Sequence, residues 1–175
     1  MKFKLSTSVK MLFIIAVVML NIGCDQVSKH IVRERIGYDQ NINFLTSHFT
    51  LTKVENAGAF LSLGDHIAST IKFILLTLIP FLVLAAGLIY LFTKKSIAKV
   101  PLIAACFIIG GGIGNIYDRL LYGSVTDFMH IGFGVFQTGI FNMADVSVMV
   151  GVLGLLAYYY IRSRGAKNRE IEPIN

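Results

Sequence analysis

The sequence predicts a membrane all-α fold with a small β element: four transmembrane helices, a small β-sheet or cradle on the outer face, and a loop beside it. Two observations carry this. Of 175 residues, 55% are hydrophobic and only 15% charged, with a mean hydropathy of +0.69, too apolar for an ordinary water-soluble domain of this length. Four apolar runs also approach the roughly 20 residues a bilayer crossing needs. The chain therefore reads as one integral membrane domain, residues 1–175, with spans near 9–28, 70–92, 99–118 and 142–162 and intervening outer segments near 29–69 and 119–141.

Orientation follows from the basic flanks, which favour the cytoplasm. Lys2, Lys4 and Lys10 precede the first run, Lys94, Lys95 and Lys99 separate the second from the third, and Arg162, Arg164, Lys167 and Arg169 follow the fourth. With four crossings these flanks share one side, so both termini are expected in the cytoplasm. Lys29, Arg33 and Arg35 count against this but belong to a long segment and are outnumbered. The pI near 9.4 is then explained by inner loops, and no nucleic acid is expected as a partner. Met1 to Cys24 also reads as a cleavable leader ending at Gly23-Cys24; Asn21 is a poor residue three positions before such a cysteine, and losing the first span would place the termini on opposite sides. Cys24 and Cys106 fall at different depths, which argues against a disulfide.

The outer segments carry strand signals. Phe49, Leu51 and Val54 nearly alternate with Thr50, Thr52 and Lys53, and Ala59 to Leu63 follows a turn at Glu55 to Gly58, reading as strand, turn and second strand. Gly123 to Ile131 and Gly134 to Ile140 are β-branched and aromatic between glycines and suggest further short strands or a gating loop. In the third span Gly110 and Gly114 are four apart, a spacing that lets helices pack closely in lipid.

Two aspartates stand out: Asp127 and Asp145 fall where the last two spans should meet the outer face. Carboxylates near lipid are costly, which makes this pair the first candidate for chemistry. Asn142 with Asp145 three residues later has the form of a helix cap, and the positive end of the fourth helix favours a charged carboxylate there, which suits a base equally well. Asp127 has no such structural reason. Asp25 with Lys29, and Asn115 with Arg119, are four apart on helix faces, with Asp118 between the latter two. For Asp25–Lys29 an interfacial ion pair and a site role stand level, as do loop pinning and a site role for Asp118 and Arg119.

Other chemistries lack their residues. His30, His48, His66 and His130 have no paired ligand spacing, two isolated cysteines make no zinc site, and neither a G-x-S-x-G elbow nor a Gly-rich phosphate loop occurs. No metal or cofactor is expected. Two carboxylates brought close do not both ionise easily, so one keeps a proton while the other activates water, the requirement for metal-free peptide hydrolysis. A small transporter would place its charges near mid-membrane in repeated halves, a scaffold would not require both aspartates, and the GxGD and PAL signatures of presenilin-type proteases are missing.

Five motifs in order, Asp25-Gln26 with Lys29, Asn56-Ala57-Gly58-Ala59-Phe60, Gly111 to Arg119 (GGIGNIYDR), Val125-Thr126-Asp127-Phe128 and Phe141-Asn142-Met143-Ala144-Asp145, closely resemble the lipoprotein signal peptidases, signal peptidase II. The resemblance runs from the first span to the fourth. It implies a bacterial inner-membrane aspartic peptidase that removes the signal peptide of prolipoproteins immediately before a diacylglyceryl-modified cysteine, and one blocked by globomycin-type cyclic peptides. Its catalytic pair maps onto Asp127 and Asp145. Asn56, Gly58, Asn115, Asp118, Arg119 and Asn142 match positions that bind substrate or support the site, and Asp25 and Lys29 match a pair near the outer end of the first span. The implied partners are diacylglyceryl-prolipoproteins and membrane lipid, for a monomer with its site on the extracytoplasmic face. Thr126 departs from the aliphatic residue expected there, and the tail from about Arg162 matches no motif.

Overall fold

The computed structural model describes residues 6–44, 48–58 and 69–171, with side chains to 165. The strand expected at Ala59 to Leu63, the motif residues Ala59 and Phe60, and His66 lie outside the described residues.

Helix α1, Thr7–Arg35, opens on Ser6, whose hydroxyl accepts the backbone N–H of Val9 at 3.3 Å and so satisfies a first-turn donor. The second crossing has three parts: α2, Ser69–Phe73; a π-helical turn, Ile74–Leu78; and α3, Ile79–Thr93. Pro80 accounts for the wide turn. It offers no N–H to the carbonyl of Leu76, its ring would crowd that carbonyl in a regular α-helix, and the N–H of Ile79 reaches back to Ile74. Helix α4, Lys99–Tyr122, stops at Gly123, whose φ of +73° is the left-handed cap that lacks a penalty only in glycine. Helix α5 is Met143–Ile171. Four of these helical stretches are long and apolar enough to cross a membrane: Thr7–Arg35, Ser69–Thr93, Lys99–Tyr122 and Met143–Gly165.

Burial is inverted relative to a water-soluble protein. Leu12, Leu20, Val83, Ile89, Leu156 and Ile161 are each more than 60% exposed, whereas Asp25, Lys29, Asp118 and Asn142 are 0% exposed. That distribution suits a chain whose surrounding solvent is lipid. Helix α4 is central, packing on α1, α3 and α5. Glycines permit the approach: a Cβ on Gly110 would lie 2.7 Å from Asn21 Cβ of α1, one on Gly114 2.5 Å from Asp25 Oδ2, and one on Gly111 would collide with the Ala144 carbonyl of α5. At the end of the bundle away from the sheet, Lys10 is buried and its Nζ donates to the carbonyls of Leu91 at 2.8 Å and Lys94 at 2.7 Å, capping α3 from α1.

The sheet has four antiparallel strands in chain order: β1, Asn41–Phe44; β2, Phe49–Asn56; β3, Val125–Phe133; and β4, Phe136–Gln137. The sequence marked β2 and the β3 region but not β1, which is the hairpin partner of β2, with Asn41 opposite Thr52. In the β2–β3 ladder Val54 faces Asp127 and Asn56 faces Val125, with an irregularity between Leu51 and Val54. A bridge from Met129 to Phe141 then ties β3 to the residue just before the α5 cap.

Candidate active site

That bridge is what brings the two aspartates to one place. Asp127 comes from the first half of β3 and Asp145 from the first turn of α5, and both line one small cleft with Asn56, Asn115, Arg119, Val125 and Asn142, about 60 Å³ in volume. Three asparagine amides hold the carboxylates. Asn142 Nδ2 donates to Asp127 Oδ1 at 2.6 Å and Asn56 Nδ2 to Asp127 Oδ2 at 2.9 Å. Asn115 Nδ2 donates to Asp145 Oδ1 at 2.9 Å, and the backbone N–H of Asn142 to Asp145 Oδ2 at 3.1 Å. Asn115 Oδ1 accepts from Lys29 Nζ at 2.9 Å and Asn142 Nδ2 at 3.1 Å, which turns its NH₂ toward Asp145.

Behind the cleft lies a buried ion cluster. Lys29 Nζ stands 2.8 Å from Asp25 Oδ2 and 3.0 Å from Asp118 Oδ2, and Arg33 Nη2 stands 2.9 Å from Asp118 Oδ2. Two cations and two carboxylates make it neutral. The Gln26 amide donates to Asp25 and Asp118 at 3.0 and 3.1 Å, and Asp25 Oδ1 accepts the backbone N–H of Ala144 at 2.9 Å, anchoring the start of α5 to α1. Removing one member would strand a buried charge, so the cluster fixes the relative position of α1, α4 and α5. Gly58 closes the front: its N–H donates to Asn56 Oδ1 at 3.0 Å and its carbonyl accepts from Arg119 Nη2 at 3.3 Å.

The two carboxyl groups differ in environment. Burial pushes Asp127 up to about 6; the Asn56 and Asn142 amides and distant Lys29 oppose this, and the charge of Asp145 adds to it. Asp145 sits in the first turn of α5, with two donors on its oxygens. Among the described residues no group of three or more His, Cys, Asp or Glu side chains is placed to hold a metal ion.

A family model described as "Signal peptidase (SPase) II" matches residues 15–161. The chain belongs to the signal peptidase II family. It is 34% identical over 146 residues to a protein of Francisella tularensis subsp. novicida named lipoprotein signal peptidase, covering 83% of this chain and 88% of the relative. A protein of the same name from Sphingopyxis alaskensis is 34% identical over 151 residues, 85% of this chain and 86% of the relative. Two solved bacterial membrane enzyme structures share the fold. One superposes with a TM-score of 0.77 at 21% identity, covering 93% of this chain and 94% of the other; the second gives 0.70 at 23%, covering 84% and 92%.

All ten positions singled out in the sequence of this peptidase thus fall in one connected network, six of them on the cleft. Asp25, Lys29 and Asp118 sit behind it and Gly58 in front. Sequence reading missed Arg33, which closes the ion cluster, and the role of Thr126. Thr126 is fully buried; its Oγ1 accepts from Arg33 Nε at 2.8 Å and donates to Glu55 Oε1 at 2.8 Å, and its N–H donates to Asp118 Oδ2 at 3.3 Å. The signal was present, since a hydroxyl stands where the family resemblance implied an aliphatic side chain.

Proposed function

We propose that Asp127 and Asp145 form the catalytic pair of an aspartic endopeptidase that cleaves the signal peptide of diacylglyceryl-modified prolipoproteins immediately before the lipidated cysteine. One observation carries the reading: two carboxylates from different elements are held by one asparagine network around one small cleft at the sheet end of a membrane bundle.

Ionised Asp145 takes a proton from water as its oxygen attacks the carbonyl before the cysteine, while protonated Asp127 gives its proton to the carbonyl oxygen. In the collapse of the tetrahedral intermediate the cysteine nitrogen leaves with the proton held by Asp145, and Asp127 recovers its own from the hydroxyl. Both groups return to their starting states. Arg119, with Asn56 and Asn142, lies where it can hold the substrate backbone or the developing oxyanion. A groove of about 480 Å³ on the sheet, running from Asp127 past Asn56, Thr52 and Thr50, offers a polar seat for the chain beyond the cysteine.

The basic flanks support a bacterial inner-membrane location with both termini in the cytoplasm and the site on the extracytoplasmic face. A substrate anchored by its own acyl chains then meets the cleft by lateral diffusion, and a monomer suffices, because both aspartates come from one chain. The relatives named lipoprotein signal peptidase support the substrate class. The test is cleavage of a precursor peptide in detergent micelles with and without diacylglyceryl on its cysteine. The lipidated peptide alone should be cut, a globomycin-type cyclic peptide should block the cut, and Asp127→Asn and Asp145→Asn should each abolish it in folded protein. Substantial activity in either variant overturns the aspartic mechanism.

A further inference from the structure

The dyad cleft is the first of three cavities that share walls. Arg119 lines both the cleft and a cavity of about 340 Å³ bounded also by Ser69, Lys72, Phe73 and Thr77. Phe73 and Thr77 also line a third, of about 170 Å³, with Phe81, Ile116 and Leu120. The chemistry changes stepwise along this line: carboxylates and amides, then a mouth carrying two cations, then hydrocarbon walls broken only by Thr77. The π turn before Pro80 supplies Thr77 to both outer cavities, and its widened backbone is a feature often found at functional sites. At the junction, Arg119 Nε is buried without a hydrogen-bond partner. A guanidinium donor in that position calls for an oxygen acceptor.

We infer that these cavities form the berth of the substrate's lipid: the glycerol ester carbonyls accept from Lys72 and Arg119 at the mouth, and one acyl chain lies between α3 and α4 along Phe73, Phe81, Ile116 and Leu120. The inference rests on the lipoprotein-substrate reading above. The polarity along the cavities follows that of diacylglyceryl-cysteine itself, from scissile amide through esters to hydrocarbon. Phe81 and Leu120 are 52% and 59% exposed, so the groove is open sideways to the leaflet from which such a substrate arrives. An acyl chain moving from bilayer to groove exchanges one apolar surrounding for another and gains little by burial. The berth acts by placement, holding the thioether so that the neighbouring amide stays over the dyad.

Ordinary phospholipid shares this acyl chemistry, and the experiment separates the two sources. A precursor peptide carrying a photoreactive diazirine on its acyl chain is irradiated with the Asp127→Asn protein in micelles. Adducts should fall within residues 73–81 and 116–120, competed by excess unlabelled lipidated peptide and not by the same amount of phospholipid. Adducts confined to α1 or α5, or competed equally by phospholipid, overturn the berth. Independently, Leu120→Trp should lower kcat/KM for the lipidated peptide by about tenfold, mainly through KM, whereas Leu156→Trp, on a lipid-facing part of α5, should not. An unchanged KM in Leu120→Trp also overturns it. If the wild-type enzyme cuts lipidated and unlipidated peptides alike, the substrate reading fails and the berth with it; if it discriminates but adducts lie elsewhere, the berth alone is wrong.

Discussion

Asn142 and Asp145 cap each other: Asn142 Oδ1 accepts the backbone N–H of Asp145 at 3.0 Å, and Asp145 Oδ2 accepts the backbone N–H of Asn142 at 3.1 Å. The amide left over on Asn142 donates to Asp127 at 2.6 Å. One side chain therefore starts helix α5, orients Asp145 and holds Asp127, so the geometry of a helix cap sets the relation between the two carboxyl groups.

Substitutions at Asn142 separate these duties. Asn142→Ala should lose about 1 kcal/mol of stability with the cap, and its turnover should fall by about 100-fold or more. Asn142→Ser can still cap α5 but is too short to reach Asp127, so it should regain stability without regaining kcat. Thermal unfolding and single-turnover cleavage of both variants check this, and recovery of both properties in the serine variant would show that capping is all Asn142 does.

The pH profile should carry the signature of Asp127. Its carboxyl is raised to about 6, so below that pH it holds the proton it must give to the carbonyl oxygen, and as pH rises through 6 that proton is lost. The alkaline limb of kcat/KM therefore belongs to Asp127, as a macroscopic value of a coupled pair. Removing one amide that stabilises charged Asp127, in Asn56→Ala, should move the alkaline limb upward. A downward shift would contradict the assignment.

Much of this site was visible in the sequence because its parts are local. The three-residue spacing of Asn142 and Asp145 and the four-residue spacing of Asp25 and Lys29 each describe one helical turn, and both contacts form. The remainder depends on pairings between distant segments. Arg33 read as a charge at odds with the orientation, yet it is paired with Asp118 and stacked 4.1 Å over the Tyr122 ring, contacts that exist only once α1 lies on α4. Strand β1 was missed because Asn41 to Phe44 has too little alternation to show which segment it pairs with. The π turn at Ile74–Leu78 was not anticipated, since the second span reads as one apolar run through Pro80 and a kink and a π turn relieve the same clash.

Adjacent glycines of α4 should respond unequally to alanine. At Gly111 a Cβ meets the Ala144 carbonyl and Ser147 Cβ of α5, rigid parts that must separate the helices carrying the site. At Gly112 it meets only the Leu84 side chain, Cδ1 first, then Cδ2 and Cγ, whose flexible end can turn aside. Gly111→Ala should lower the unfolding temperature and activity well below Gly112→Ala. Equal behaviour would mean that the α4–α5 contact yields easily.

Asp118 balances both Lys29 and Arg33, so Asp118→Asn should cost about 3–5 kcal/mol by leaving a buried positive charge. Replacing the whole group with apolar side chains of similar volume should restore stability but not turnover, because Lys29 also orients Asn115 toward Asp145. Denaturant unfolding in micelles together with kcat reads both effects.

Topology is open to a direct check. A reporter fused after Arg164 should lie in the cytoplasm, and in a Cys24→Ser background Val135→Cys, at the 92% exposed β3–β4 turn, should react with an impermeant thiol reagent from outside. Labelling only after the membrane is breached would invert the proposed orientation.

Lys10 gives the first helix a second purpose. Its ammonium is fastened to the end of α3, 81 and 84 residues further along the chain, and α1 then runs without a break to Lys29 at the site. From Lys10 to Lys29 the helix rises roughly 28 Å, close to the thickness of a hydrocarbon core. Helix α1 thus works as a depth gauge with an amine at either end: fixing one nitrogen against the α3 carbonyls sets the height at which the other meets Asn115. A change of one turn in the length between them would withdraw Lys29 from Asp118 and Asn115, and with it the hold that turns the Asn115 amide toward Asp145.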